Sequence, residues 1–252
     1  MDQATGFSFD MSYCGLPPAP EGLWSRWNFD PILLIALVVL FAVTSYALRH
    51  AEKSRQVAFW SAWVLTVVLF VSPICALTVS LFSARVSHHV LLTMIVAPLL
   101  AAALPTKWGQ NMKLLPALLL STVLLWFWHL PDLYASAFRH PTTYWTMQLT
   151  LLSSYIWLWL GLLRARSAGA AAIVALGSAT QMGFLGALLV FAPQPLYLPH
   201  MATTLAFGFS PLDDQQLAGL IMWVPANLPL LAAVLWRLTL VLSAQQTAMA
   251  TR

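Results

Sequence analysis

The chain has 252 residues, 60% of them hydrophobic and only 8% charged, with a net charge of +4. A soluble domain carries roughly 25% charged residues, so these few cannot cover a globular surface in water. The composition excludes a soluble fold and makes this an all-α integral membrane protein, whose small positive charge reports orientation rather than nucleic-acid binding.

Residues 1–30 read as a polar tail, with Pro and Gly gathered in "CGLPPAPEG" and no basic start or apolar core of a signal peptide. A spanning helix needs about 20 mostly apolar residues. Seven stretches qualify, at 31–48, 57–80, 89–104, 112–129, 144–163, 170–191 and 216–241, the third and fourth being short and open to extension through their polar flanks. Pro73, Pro98, Pro116 and Pro225 are expected to kink or end helices. Residues 31–241 form one seven-helix transmembrane domain, and 242–252 a C-terminal tail.

Seven spans put the chain ends on opposite sides. One side holds Arg49, Lys53, Arg55, Lys107, Lys113, Arg164, Arg166, Arg237 and Arg252; the other holds Arg26, Arg85 and Arg139. Nine against three places the first group in the cytoplasm and the N-terminus outside. Of the acids, only Glu52 falls on the inner side.

On that topology five of the six histidines lie on the outer side. "SARVSHHVLLTM" sets Arg85, His88 and His89 at the outer mouth of the third span, and "WFWHLP" ends the fourth at His129. His140 and His200 fall in outer connections, where polar side chains are tolerated, whereas ionisable groups inside a span point to function. His89 and His129 are therefore candidate metal ligands, with His88 about 100° around the helix from His89. Imidazole suits copper, zinc, iron or nickel, and thioether sulfur selects reduced copper, so Met94, Met147 and Met222 join as soft auxiliaries. Met182, in mid-span, reads as packing, the usual role of methionine in an apolar chain. Cys14 and Cys75 both fall on the outer side and read as unrelated cysteines, with pairing or transient copper binding as alternatives.

The tryptophans at span ends, Trp24, Trp27, Trp108, Trp126, Trp128, Trp145 and Trp223, read as an interfacial belt. Arg85 either snorkels to the outer headgroups or pairs with Asp213, Asp214 or an anionic partner. In "PLDDQQLAGLIMWVPANLP", Asp213 is expected to cap the seventh span and Gly219 to permit close helix contact, while Asp214, Gln215, Gln216 and Trp223 complete a docking face with Arg85. No nucleotide loop, internal repeat or mid-span acid is present in the sequence, which argues against a proton-coupled transporter and against enzymatic chemistry.

Taken in order, "FSARVSHHVLLTMIVAPLL", "WFWHLPDLYASAFRHP" and "LDDQQLAGLIMWVP", with "WNFDPILL" before them, resemble the CtaG family of cytochrome c oxidase assembly factors. The resemblance implies a multi-pass protein of the bacterial inner membrane whose partners are subunits of a heme–copper oxidase and whose role is to supply or seat copper. It carries over to His89, to His129 and to the Met222–Trp223 pair. Arg85 stands where many relatives carry a second histidine, and Tyr144, Met147 and Gln148 where others carry a His/Glu/His group. Two alternatives stay open: a metal-free scaffold for oxidase assembly, and a haem-handling protein with His89 and His129 as axial ligands.

Overall fold

The computed structural model describes residues 12–109 and 112–250; residues 1–11 of the predicted tail and Arg252 of the basic group lie outside the described residues. No strand occurs among the described residues, and six helical stretches are long and apolar enough to cross a membrane, or seven if one sharply bent pair is a single span.

Helix α1 (Pro31–Leu48) starts where Asp30 accepts a hydrogen bond from Ile32 N at 2.9 Å and Pro31 fills the first turn, a position that has no N–H to satisfy. It runs antiparallel to α2 (Lys53–Val71). The predicted second span does not continue to residue 80: the chain turns at Ser72-Pro73 and restarts as α3 (Ile74–Ser80). The next span begins at Phe82, seven residues before the predicted 89, as α4 (Phe82–Leu91), a π-helical turn (Leu92–Val96) and α5 (Ala97–Ala103). The cause of this early start is a cap supplied from elsewhere in the chain, described below.

Helix α6 (Leu114–Trp128) is joined to α7 (Pro131–Arg139) at an angle of 73°. Pro131 forces the bend, because it cannot donate to the preceding turn and drives Leu130 into an extended conformation. Pro116 sits in the first turn of α6 and leaves that helix straight-starting, without the expected kink. Helices α8 (Pro141–Arg164) and α9 (Ala168–Phe191) each cross in one piece. The last span is broken by a 3-10 turn at Pro225–Asn227 into α10 (Pro211–Trp223) and α11 (Leu228–Ala250), so the predicted C-terminal tail is helical through Ala250.

The chain segment 12–30 packs on the side where α2 ends, which we call the tail side. Asn28 N donates to Val71 O (2.8 Å) and Ser80 Oγ to Pro18 O (3.1 Å), while Tyr13 stacks on Tyr144 with ring centroids 4.9 Å apart. Cys14 and Cys75 form a disulfide, which corrects their reading as unrelated residues. Sequence distance concealed the pairing; the packing of the tail over α3 brings the two together.

On the opposite side the basic residues close helix ends. Arg164 donates from Nη2 to Ala101 O (2.7 Å) and Leu104 O (2.8 Å), and from Nη1 to Pro105 O (2.7 Å) and Trp108 O. Arg55 Nε reaches Ala103 O at 3.0 Å, and Arg237 donates to Leu163 O and Ala165 O. The last carbonyls of a helix lack intrahelical donors and carry partial negative charge, so these cations satisfy them directly. Part of the charge asymmetry is therefore structural.

Candidate functional site

The site is organised by α4. Its N-cap residue, Leu81, has no side chain able to accept from the first free N–H groups. Asp214 of α10 takes that role: Phe82 N donates to Oδ2 at 2.6 Å, Ser83 N to Oδ1 at 3.2 Å, and Ser83 Oγ bonds the same oxygen. Asp214 is wholly buried, so this is an internal clamp between two helices rather than part of a vestibule. Helix α10 itself is capped by Ser210, whose Oγ accepts from Asp213 N at 3.1 Å, not by Asp213 as expected.

With α4 starting at Phe82, Arg85, His88 and His89 lie inside a helix instead of at its mouth. Residues 85, 88 and 89 share one side of the helix by their three- and four-residue spacing. Arg85 is 1% exposed; it neither snorkels nor pairs with Asp213 or Asp214. Its guanidinium lies between the rings of Phe138 and Tyr144, 4.5 and 5.2 Å from their centroids. His88 turns toward α2, where its ring meets Phe70 edge-on at 4.9 Å.

His89 faces a cavity of about 20 Å³ that it lines with His129, Met182 and Met222, closed by Val86, Val90, Thr93, Leu125 and Leu151. A water molecule needs roughly 10–15 Å³ measured this way, so the space suits one water or one ion. Among the described residues no group of three or more His, Cys, Asp or Glu side chains is placed to hold a metal. The convergent donors are two imidazoles and two thioethers.

His129 is held tightly. It follows the last residue of α6, and its Nδ1 lies 2.7 Å from Leu125 O. A carbonyl only accepts, so Nδ1 carries the proton and Nε2 keeps its lone pair. Tyr197 Oη donates to His129 O at 2.9 Å, fixing the backbone at the bend. His89 Nε2 is buried without a hydrogen-bond partner. A ring nitrogen left bare inside a protein is costly unless a ligand takes it.

Below His89 the π-helical turn changes the hydrogen-bond register. Ala97 N donates to Leu92 O, and Pro98 has no N–H to offer. Thr93 O is thereby released and accepts Trp159 Nε1 at 3.0 Å, while Thr93 Oγ1 donates to His89 O at 2.7 Å. Single π turns recur at functional sites, where they re-aim neighbouring side chains.

The two thioethers arrive through close helix packing. A Cβ on Gly186 of α9 would stand 2.7 Å from Gly219 O, and one on Gly219 of α10 only 2.6 Å from Gly186 O. The paired glycines let the backbones touch, as Gly219 was expected to allow, and set Met182 and Met222, four and three residues along, beside the histidines. Met182, read from sequence as packing, lines the cavity. Met94 does not: five residues past His89 puts it about 140° around the helix, where it is buried outside the cavity lining. Met147 is wholly buried with Trp128 and Tyr144, one turn from Leu151.

Of the expected docking residues, Arg85, Asp214 and Gln215 are buried. Gln215 accepts from Leu196 N at 2.7 Å and donates to Leu189 O, tying α10 to the end of α9. Asp213 and Trp223 are exposed and Gln216 half-buried. The helix starting at Pro211 turns the middle of that polar run inward. His200, placed in an outer connection by sequence, is 2% exposed and 2.7 Å from Tyr134 Oη. Trp128, expected in the interfacial belt, is buried and donates to Thr150 Oγ1 at 2.9 Å.

A family model described as cytochrome c oxidase caa3 assembly factor (Caa3_CtaG) matches residues 34–243. The chain belongs to this family. The match runs from α1 into α11 and so includes every residue that lines the cavity. Among curated proteins and solved structures, none matches. Family membership makes this CtaG chain an assembly factor, associated with cytochrome c oxidase, in a multi-pass membrane setting.

Proposed function

We infer that this CtaG-family chain binds copper in its reduced state between His89, His129, Met182 and Met222 and passes it to a subunit of the oxidase during assembly. The observation that carries the reading is the small cavity between buried side chains with two imidazoles and two thioethers on its wall. Thioether sulfur favours reduced copper over harder ions, and neutral imidazole completes such a set. The lone pair of His129 is aimed by the bond from Nδ1 to Leu125 O, the arrangement by which metal-binding histidines are normally oriented. His89 Nε2, otherwise bare, gains a partner. Four uncharged ligands bind weakly enough for hand-over.

A cavity of about 20 Å³ favours an ion over haem, because a macrocycle cannot enter between the two rings. The proposed orientation puts the tail side outside the cytoplasm of a bacterial inner membrane. Charge asymmetry supports this, and so does the disulfide on the tail side, since disulfides persist in oxidising compartments.

The test is copper content after anaerobic loading with reduced copper, together with oxidase assembly in cells. His89→Ala/His129→Ala is expected to lose the bound ion and to yield oxidase deficient in copper, and Met182→Leu/Met222→Leu to weaken binding by about tenfold or more. A histidine double variant that keeps its copper, or that supports full oxidase assembly, sinks the reading and leaves the metal-free scaffold.

A further inference from the structure

Arg85 is among the largest fully buried side chains of the molecule, and its Nε and Nη1 have no hydrogen-bond partner. No carboxylate is within ion-pair distance of it among the described residues. Asp214, the acid of α10 that caps α4, has both oxygens engaged at Phe82 and Ser83, on the first turn of the helix. A buried cation without a counter-ion is expensive and has to be held by something else. Here the faces of Phe138 and Tyr144 hold it.

That choice of partner has an electrostatic consequence. An aromatic face stabilises a cation through its quadrupole but carries no net charge. A carboxylate would cancel the field of the guanidinium; two rings leave it in place. Arg85 is four residues before His89, a rise of about 6 Å along the helix. The interior around it is shielded from water, where charges interact more strongly than at a surface. All four donors on the cavity wall are neutral, so no anionic ligand offsets the field there.

We propose that Arg85 makes the cavity discriminate ions by charge, admitting a monovalent soft cation and turning away divalent ones; this rests on the cavity being an ion site. Coulomb repulsion from a fixed positive charge grows in proportion to the charge of the ion. Whatever factor Arg85 removes from the affinity for a monovalent ion, it removes the square of that factor for a divalent one. At a separation of about 9 Å and an effective dielectric of about 20, the monovalent factor is roughly twentyfold and the divalent one roughly four-hundredfold. The same repulsion keeps the monovalent ion loosely held, which suits delivery.

The experiment uses the full chain in detergent, with Ag⁺ as a redox-stable monovalent probe and Zn²⁺ as the divalent one, each measured by competition against a chelator of known affinity. R85Q is expected to bind Ag⁺ about twentyfold and Zn²⁺ about four-hundredfold more tightly than the unaltered protein, so the ratio between them shifts about twentyfold. R85K, which keeps the charge, is expected to leave that ratio where it was. Should R85Q fail to fold, Gln148→Glu serves instead. Gln148 is buried one turn from Tyr144 on α8 with both amide atoms unpartnered, and an isosteric carboxylate there adds a negative charge beside the ring over which the guanidinium lies. It is expected to shift the ratio the same way. An unchanged Ag⁺ to Zn²⁺ ratio in whichever of these two variants folds overturns the proposal. His89→Ala/His129→Ala separates the two levels. If it still binds Ag⁺, the site reading itself fails; if it loses Ag⁺ while R85Q leaves the ratio unmoved, only the role of Arg85 falls.

Discussion

His200 shows how far a residue's environment can depart from its place in the chain. It belongs to a connection between α9 and α10, yet Phe82, Tyr134 and Phe138 surround its ring, and burial together with the nearby charge of Arg85 pushes its pKa down to about 3. An unfolded histidine titrates near 6.5. Between those values the unfolded chain binds a proton that the native chain refuses, so stability present above about pH 6.5 is lost as the pH falls below it. The thermal midpoint in detergent is expected to be lower at pH 5.0 than at pH 7.5, and His200→Gln to shrink that difference; an equal pH dependence in the variant would remove His200 as its source. At the same scale, His89 and His129 were legible as candidates because their residue type is rare inside spans. Met182 was not, since nothing in a methionine's sequence context tells packing from a donor; only the wall of the cavity does.

Among elements, interruptions matter more than the helices themselves. The bend at Pro131 sets His129 at the end of α6, the π-helical turn follows His89, and the break at Pro225–Asn227 ends α10 just beyond Met222. Each of these has a proline in it or just after it, Pro131, Pro98 and Pro225, whose missing N–H is visible in any sequence. That the interruption at Pro98 takes the form of a π turn is not visible there, because the released carbonyl of Thr93 needs Trp159 reaching across from α8. The contact of α9 with α10 gives a direct prediction. A methyl group on Gly219 meets Gly186 O at 2.6 Å and Val190 Cγ2 at 2.8 Å, and the backbone oxygen can yield only if the helices part. Gly219→Ala is expected to cost about 1–3 kcal/mol, read as a lower thermal midpoint. Because Met222 rides on the same face, the variant is also expected to bind the proposed ion less well; wild-type stability and loading together would show that the contact is looser than its geometry implies.

For the molecule as a whole, the tail side is fastened by covalent and polar links and the opposite side by arginines on helix ends. The disulfide closes a separation of 61 residues between the tail and α3. A cross-link of this reach typically stabilises by about 2–4 kcal/mol, chiefly by restricting the unfolded chain. Cys14→Ser/Cys75→Ser is expected to lower the thermal midpoint in detergent, and the unaltered protein to show a mobility shift on reduction; no change in either measurement would contradict the link. Tyr13 and Tyr144 sit beside this disulfide, with Tyr144 Oη 3.7 Å from Cys14 Sγ, and Tyr144 in turn lies over Arg85. The tail is thus continuous with the buried cluster above the cavity.

Sequence by itself determined the class of molecule, the approximate spans and the family. Hydropathy over about 20 residues is a local property set by bilayer thickness, and the motifs around His89, His129 and Met222 are contiguous. Tertiary structure decided which of the nominated residues converge. Asp214 caps α4 from far along the chain, which draws Arg85 and His88 into the interior; Gly186 against Gly219 brings Met182 and Met222 to the histidines; the tail finds Cys75. Each depends on contacts between segments distant in sequence, and no local pattern encodes the side of a helix that a distant partner will cover.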